Sequence, residues 1–381
     1  MTSSPTSSPS GPTTQLARYI MVGGFLGAGK TTTVARLAQH FHDQGLRVGL
    51  ITNDQGSGLV DTTTLKAKGF PVEEITGGCF CCRFNSLTDA AARLSAKERP
   101  DVFIAEPVGS CTDLVATVTY PLRRIYGDRF LVAPLSVLMD PIRALRLFGL
   151  EAGSKFSAKV SYIYRKQLEE ADILVINKSD LLNSTQLAAL KARLESEFPG
   201  KSLHIISARS AEGLLPWFQL LTRGEQVTKP VIGIDYDEYA EGEALLGWMN
   251  ATLRIHSEST FDANAFLKQF ASQLQSTLAG QSVEIAHMKM TIEPTEGLGD
   301  LAVLNLVRSD SVGELGIEAG EEMTEAELTL NLRAEAEPEV LKAALDLALG
   351  FSESFQSGMT TSIHQLESFR PGRPTPTHRE S

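Results

Sequence analysis

The stretch GGFLGAGKTTT, residues 23–33, decides how the chain is read. Within it Gly24, Gly27, Gly29, Lys30 and Thr31 complete a G-x-x-x-x-G-K-[ST] spacing, with Thr32 directly behind. The apolar run YIMV (19–22) precedes it and the helical pattern TVARLAQHF (33–41) follows, which is the strand-loop-helix context such a loop requires. Glycines let successive backbone N–H groups turn toward a phosphate, and the helix N-terminus behind them favours an anion. Lys30 then reaches the β- and γ-phosphate oxygens, and the Thr31 hydroxyl a Mg²⁺ ion.

Working outward, VGLITND (48–54), VFIAEP (102–107), LVAPLSVLMD (131–140), DILVINKSD (172–180) and LHIISAR (203–209) are further apolar runs that end in turn residues. Amphipathic stretches separate them. Near-continuous apolar strands alternating with helices describe a parallel sheet covered on both faces. The expectation is an α/β protein: a P-loop NTPase domain with a doubly wound, mostly parallel sheet over 18–225, a linker over 226–243, and a smaller α+β domain with an antiparallel sheet over 244–352. In the latter, Met249, Ala251, Leu253 and Ile255 alternate with Asn250, Thr252 and Arg254, a strand with one wet face. His287 and Lys289 likewise share a polar face read as solvated. Residues 1–17 and 353–381, the first rich in Ser, Thr and Pro, are expected to be disordered tails.

At 381 residues and 42% hydrophobic content the chain can bury more than one core. A net charge of −11 argues against nucleic acid or an anionic membrane as partner. With no apolar run of about 18 residues and no leader-like N-terminus, the expected location is the cytoplasm.

The run ending in Asn177-Lys178-Ser179-Asp180 is an N-K-x-D arrangement. The Asp180 carboxylate can accept from N1 and N2 of guanine, a pairing adenine does not offer, so the expected nucleotide is GTP. Asn177 braces the loops, the Lys178 stem lies along the base, and the backbone at Ser207 and Ala208 approaches guanine O6. Asp54 and Glu106 end strands beside the phosphate loop. Asp54 is assigned to orienting water and bridging to Mg²⁺, Glu106 to holding Mg²⁺ through water, and Gly109 to the γ-phosphate, making Lys30, Asp54 and Glu106 the expected catalytic set. Asp61 supports the same loop or serves structure alone.

GGCFCCRF (77–84) places Cys79, Cys81 and Cys82, three of four cysteines, within four positions. A reduced cluster of this kind suits a transition metal, zinc first and cobalt or nickel as alternatives. Because adjacent cysteines need not point the same way, two of the three are expected to bind together, with Cys111 completing the site. Redox sensing, with Arg83 lowering a thiol pKa, is the rival reading.

GGFLGAGKTTT, GGCFCC, E-x-x-G and NKSD in this order resemble the CobW-like GTPases of the SIMIBI class, relatives of UreG and HypB. The resemblance covers about 18–225 and implies a GTP-hydrolysing metallochaperone that delivers metal to a client metalloprotein. It departs at EPVGSCTDL, where Cys111 is unusual, and at Thr52 and Ser57, where many members carry acids. Two other readings stand beside it: a GTP-gated regulatory or redox switch without metal delivery, and a small-molecule kinase. The expected partners are GTP, a transition metal and the client, with no nucleic acid or membrane, and a homodimer is left open.

Asp180→Asn turns an amide donor onto the guanine N–H groups. It is expected to cut the preference for GTP over ATP by about a hundredfold in competition binding; a small-molecule kinase that ignored the base would show no change.

Overall fold

The computed structural model describes residues 16–53, 60–295 and 300–380. Its first part alternates strand and helix: β1 (Ala17–Gly24), α1 (Lys30–Asp43), β2 (Val48–Asn53), α2 (Val60–Ala67), β3 (Val72–Ile75), α3 (Phe84–Lys97), β4 (Val102–Glu106) and α4 (Tyr120–Tyr126). β5 (Phe130–Val132), β6 (Ser136–Met139), α5 (Pro141–Leu147), α6 (Ala158–Glu170), β7 (Ile173–Ile176), α7 (Ser184–Glu197), β8 (Ser202–Ile205) and α8 (Leu214–Arg223) follow. Among the described residues the strands form one eight-stranded sheet in the order β3-β2-β4-β1-β6-β7-β8, with β5 paired to β1. Every pairing in it is parallel. The central strands are buried on both faces, as their unbroken apolar runs require. Strand order reverses at β1, which puts the glycine loop at a topological switch point.

Helix α9 (Tyr236–Leu245) begins within the stretch expected as a linker and runs two residues past it. Asp235 caps it by accepting from the Asp237 and Glu238 N–H groups, and Tyr239 is buried in the first core. Its polar face resembles linker composition because one tyrosine and the close Gly242 contact with Lys159 supply the packing.

The second part holds β9 (Leu246–Phe261), α10 (Ala263–Ala279), β10 (Ile285–Pro294), β11 (Ala302–Leu306), β12 (Glu314–Ile317), β13 (Met323–Glu335), α11 (Pro338–Leu349), α12 (Phe351–Phe355) and β14 (Met359–Phe369). Its six strands pair antiparallel in the order β12-β11-β10-β13-β9-β14. The apolar face packs under α10 and α11 in a core that includes Phe266, Phe270, Leu330 and Leu345. Strand β14 corrects the expectation of a disordered tail over 353–381. Its sequence MTTSIHQLESF is too polar to read as a strand, yet backbone bonds to β9 hold it along Met359–Phe369.

The opposite face of this sheet also departs from expectation. Asn250, read as facing water, is buried, and Lys289 is only 12% exposed. The register sets Asn305, Lys289, Asn331 and Asn250 side by side across four strands. This polar row lies against the first domain: Asn331 Oδ1 accepts from the Val60 N–H at the start of α2 (3.1 Å), and Arg143 of α5 donates to the Ile285 and Ala286 carbonyls (2.8 and 3.0 Å). Alternation marks two faces correctly but does not distinguish water from another domain's polar surface.

Phe266 stacks on Phe270 with centroids 5.6 Å apart and meets Phe355 edge-on at 5.2 Å. Phe266→Ala is expected to cost about 3–5 kcal/mol in denaturant unfolding of the second part, with GDP binding by the first part retained.

Candidate functional site

Two clusters share the segment that follows β4. The first surrounds the glycine loop. Gly27 and Gly29 sit at φ 78° and 87°, and a Cβ on Gly29 would lie 2.4 Å from Asn177 Nδ2. Only glycine meets both demands. Gly24 is equally constrained at φ 136°, with the Leu138 carbonyl 2.3 Å from where a Cβ would be. Lys30 is buried, which lowers its pKa, and its Nζ donates to the Gly24 carbonyl at 2.9 Å. Thr32 is exposed on the first turn of α1.

Thr31 Oγ1 lies 2.6 Å from Asp61 Oδ1 and 2.9 Å from Glu106 Oε1. The second oxygen, Glu106 Oε2, is buried without a partner among the described residues. Burial, then the charge of Asp61, pushes the Glu106 carboxyl up to about 7. Burial would also raise Asp61, but the Lys289 ammonium beside it, helped by the Thr31 hydroxyl and Lys30, brings it below the ordinary carboxylate range. Lys289 Nζ contacts Asp61 Oδ1 and donates to Thr31 Oγ1 at 3.3 Å. A buried hydroxyl flanked by two carboxylates, one oxygen unmatched, is a donor set that fits a hard cation such as Mg²⁺. Asp54 and Ser57 lie outside the described residues; Thr52 instead pairs its hydroxyl with that of Thr62 at 2.9 Å.

At the N-K-x-D end, Asn177 Nδ2 donates to the Ala28 carbonyl (2.9 Å) and its Oδ1 accepts from the Ala208 N–H (3.1 Å). It ties the glycine loop to the loop after β8. Lys178, at φ 54°, donates to the Gly27 carbonyl (2.7 Å) and to the buried Asp140 carboxylate (3.0 Å). Asp180 is exposed. The Ser207 N–H donates to the Glu212 carbonyl, so the backbone N–H groups of both Ser207 and Ala208 are engaged within the protein.

The thiol cluster forms where residues 79–83 turn tightly, with the Cys82 and Arg83 N–H groups donating to the Cys79 carbonyl at 3.0 and 2.9 Å. This turn aims all three side chains one way. The sulfurs of Cys79, Cys81 and Cys82 lie within 4.8 Å of one another, so the expectation that only two converge is corrected. Cys111 is buried beside Cys79, next to the three converging sulfurs. Interaction with the neighbouring Cys111, Cys81 and Cys82 thiols holds the Cys79 thiol well below its usual pKa. The same interaction, aided by burial, drives Cys81 well up and Cys82 to about 11, while burial first drives Cys111 up. The lowest thiol pKa of the cluster therefore falls at Cys79. The Arg83 guanidinium donates to the Gly77 carbonyl at 3.1 and 3.0 Å.

Gly109 and Cys111 are fixed from behind, since Gln167 Nε2 donates to both carbonyls at 2.9 and 2.8 Å. A Cβ on Gly109 would come 2.8 Å from Leu26, so this segment packs closely on the glycine loop. Ser110 Oγ donates to Glu243 at 2.6 Å, and burial, then the Cys79 charge, keeps that carboxyl well above its usual range.

The last residues cross the cluster. The Thr375 N–H donates to Cys82 Sγ (3.2 Å), the Thr377 N–H to the Cys81 carbonyl (2.8 Å), and the Thr377 hydroxyl to the Cys82 carbonyl (3.1 Å). Arg379 pairs with Asp113 at 2.7 Å and the Glu380 N–H donates to the Ala116 carbonyl at 2.8 Å. Composition gave no sign of this strap. Nor did it mark Lys289, whose only signal was an alternating polar position.

The glycine loop, the braced Asn177 and the thiols beside the segment after β4 now stand in one arrangement. Residues 18–203 match the family model described as CobW/HypB/UreG, nucleotide-binding domain. This part of the chain is a CobW/HypB/UreG nucleotide-binding domain. It is 30% identical over 213 residues to the zinc chaperone CobW of Sinorhizobium sp, covering 50% of this chain and 59% of that protein. It is 33% identical over 169 residues to the zinc chaperone YeiR of Escherichia coli strain K12, covering 43% and 47%. The chain thus spans about half the length of the curated relatives it matches. Among solved structures, the Zn(II)-bound YjiA GTPase from E. coli is similar over 87% of this chain and 98% of that one, at 14% identity and a TM-score of 0.37, too distant to bear on the site. Among the described residues no helix is long and apolar enough to cross a membrane.

The strap over the CobW-type domain has a direct consequence. A chain ending at Phe369 is expected to alkylate Cys82 with iodoacetamide several-fold faster than the full chain; equal rates would show that the strap does not shield the sulfur.

Proposed function

We propose that the chain is a GTP-hydrolysing metallochaperone that carries a transition metal, zinc first, on its cysteine cluster and passes it to a client metalloprotein as the GTPase cycle turns. The observation that carries this is the shared segment 106–113. Glu106 bonds the Thr31 hydroxyl at one end, and five residues on Cys111 lies beside Cys79. A γ-phosphate that shifts this segment alters the thiol geometry, and differential affinity for two conformations is what lets nucleotide bias metal binding.

Lys30, Gly24, Gly27, Gly29, Thr31 and Thr32 hold the phosphates in this reading, with Gly109 at the γ-phosphate. Asn177, Lys178 and Asp180 select guanine, and the loop at Ser207 and Ala208 closes over it. Thr31 and Glu106 hold Mg²⁺, together with Asp54 in the water-orienting role; the bound ion supplies charge neutralisation at the transferring phosphoryl group. Cys79, Cys81, Cys82 and Cys111 supply four sulfurs, the number a closed tetrahedral zinc site uses. Cysteine binds zinc as the thiolate, so zinc uptake releases the protons that the thiols hold. The names of the zinc-chaperone relatives support zinc over cobalt or nickel. The cytoplasm, where glutathione keeps such thiols reduced, fits the same reading.

One observation favours the second reading, a GTP-gated redox switch. Cys79 Sγ lies 2.7 Å from Cys81 Sγ, and a lowered thiolate beside a second thiol is how peroxide-sensing pairs are built.

Zinc titration by competition with a chromophoric chelator, with and without a non-hydrolysable GTP analogue, separates the two. Metal carriage predicts nucleotide-dependent zinc affinity, and Cys111→Ser is expected to weaken zinc binding about tenfold or more while leaving GTP binding intact. Zinc affinity indifferent to nucleotide would overturn the coupling, and an unchanged Cys111→Ser variant would return that residue to the core.

A further inference from the structure

The cation nearest the Thr31 hydroxyl comes from the second sheet. Lys289 sits midway along β10, its neighbours across the sheet are Asn305 and Asn331, and its anionic partner is Asp61 of the first domain. The side chain is 12% exposed. An ammonium taken this far out of water needs an opposite charge, and breaking such a pair is more costly than breaking one at the surface. The pair also spans the two parts of the chain at the point where Asn331, the next residue in the same row, holds the start of α2 through the Val60 N–H.

Magnesium and the Lys289 ammonium seek the same oxygens. A divalent cation on the Thr31 hydroxyl and its flanking carboxylates repels an ammonium in contact with that hydroxyl and with Asp61. Lysine is a point charge on a flexible four-carbon stem, so it can change partner without moving its backbone far. Magnesium–GTP brings that partner, because the triphosphate as a whole carries more negative charge than the ion cancels and the γ-phosphate oxygens share the excess. Magnesium–GDP does not.

We propose that Lys289 is a nucleotide ligand supplied by the second sheet: it neutralises Asp61 in the empty protein and transfers to the terminal phosphate when magnesium–GTP binds. The inference rests on the GTPase reading above. It makes the second sheet a reader of the γ-phosphate, seated in the empty and GTP states and without its ionic anchor in the GDP state. No bond is made or broken in this exchange; one ion pair replaces another. It gives the second sheet a reason to present a lysine where alternation alone would accept any polar residue.

The test compares the affinities of fluorescent GTP (as a non-hydrolysable analogue) and GDP, each with magnesium, for the full chain and for Lys289→Met and Lys289→Arg. Lys289→Met is expected to weaken the GTP analogue about tenfold or more, the scale of one charge-assisted contact, while GDP affinity stays within twofold. Lys289→Arg, which keeps the charge, restores most of the preference for the triphosphate. Equal losses for both nucleotides in Lys289→Met, or no loss for either, would overturn the proposal and leave Lys289 a structural ion pair. If Lys289→Met does not fold, an Arg variant with wild-type GDP affinity and an undiminished triphosphate preference supports the charge requirement, and one that has lost that preference overturns it. Failure of the unaltered chain to bind GTP at all would instead overturn the GTPase reading, so the two failures are distinguishable.

Discussion

The Thr31 hydroxyl is the point on which the molecule's two parts agree. It is reached by Asp61 from α2, by Glu106 from the end of β4 and by Lys289 from the second sheet, all within 3.3 Å. The glycine loop can present that hydroxyl because Gly24, Gly27 and Gly29 take backbone conformations closed to other residues. The second sheet can approach because its inward face carries a row of amides and an ammonium that meets the polar surface it covers. An apolar face there would strand buried donors and acceptors on the first domain.

From this point the consequences run along the segment after β4. Glu106, Gly109 and Cys111 are spaced so that one end touches the Thr31 site, the middle packs on Leu26 of the glycine loop, and the far end meets Cys79. Gln167 holds two carbonyls of the segment, and Glu243 and Tyr239 of α9 pack behind it with hydrogen bonds from the Ser110 hydroxyl and the Thr112 N–H. The thiol cluster is thus neither an isolated loop nor part of the phosphate cradle. It is the next thing the cradle touches.

Much of this was legible from residue order. Apolar runs closing in Gly, Asp and Asn located the parallel strands, and the glycine-loop spacing located the switch point, because both are local demands that neighbouring residues must meet. The bracing by Asn177 followed from its place at a strand end and is realised through Ala28 and Ala208. The polar alternation of β9 and β10 was read correctly as two faces and incorrectly as one wet face. Burial of Asn250 and Lys289 depends on what lies opposite, which alternation does not encode. Strand β14 was missed because backbone hydrogen bonds to β9 hold it, and the strap through Thr375 and Thr377 because its partners lie nearly three hundred positions away; composition is nearly blind to both.

Residue order by itself therefore determined the doubly wound domain, the phosphate loop, the N-K-x-D end and the presence of a thiol cluster, since each depends on chemistry confined to a few adjacent positions. Tertiary structure alone decided that three sulfurs of the motif converge with Cys111 close by, and that the lowest thiol pKa falls at Cys79. It alone decided that the C-terminal residues cross the cluster and that Lys289 reaches Asp61 from 228 positions away. Those outcomes turn on how separate elements pack, and the free energy of a buried charge or thiol is set by its neighbours in space.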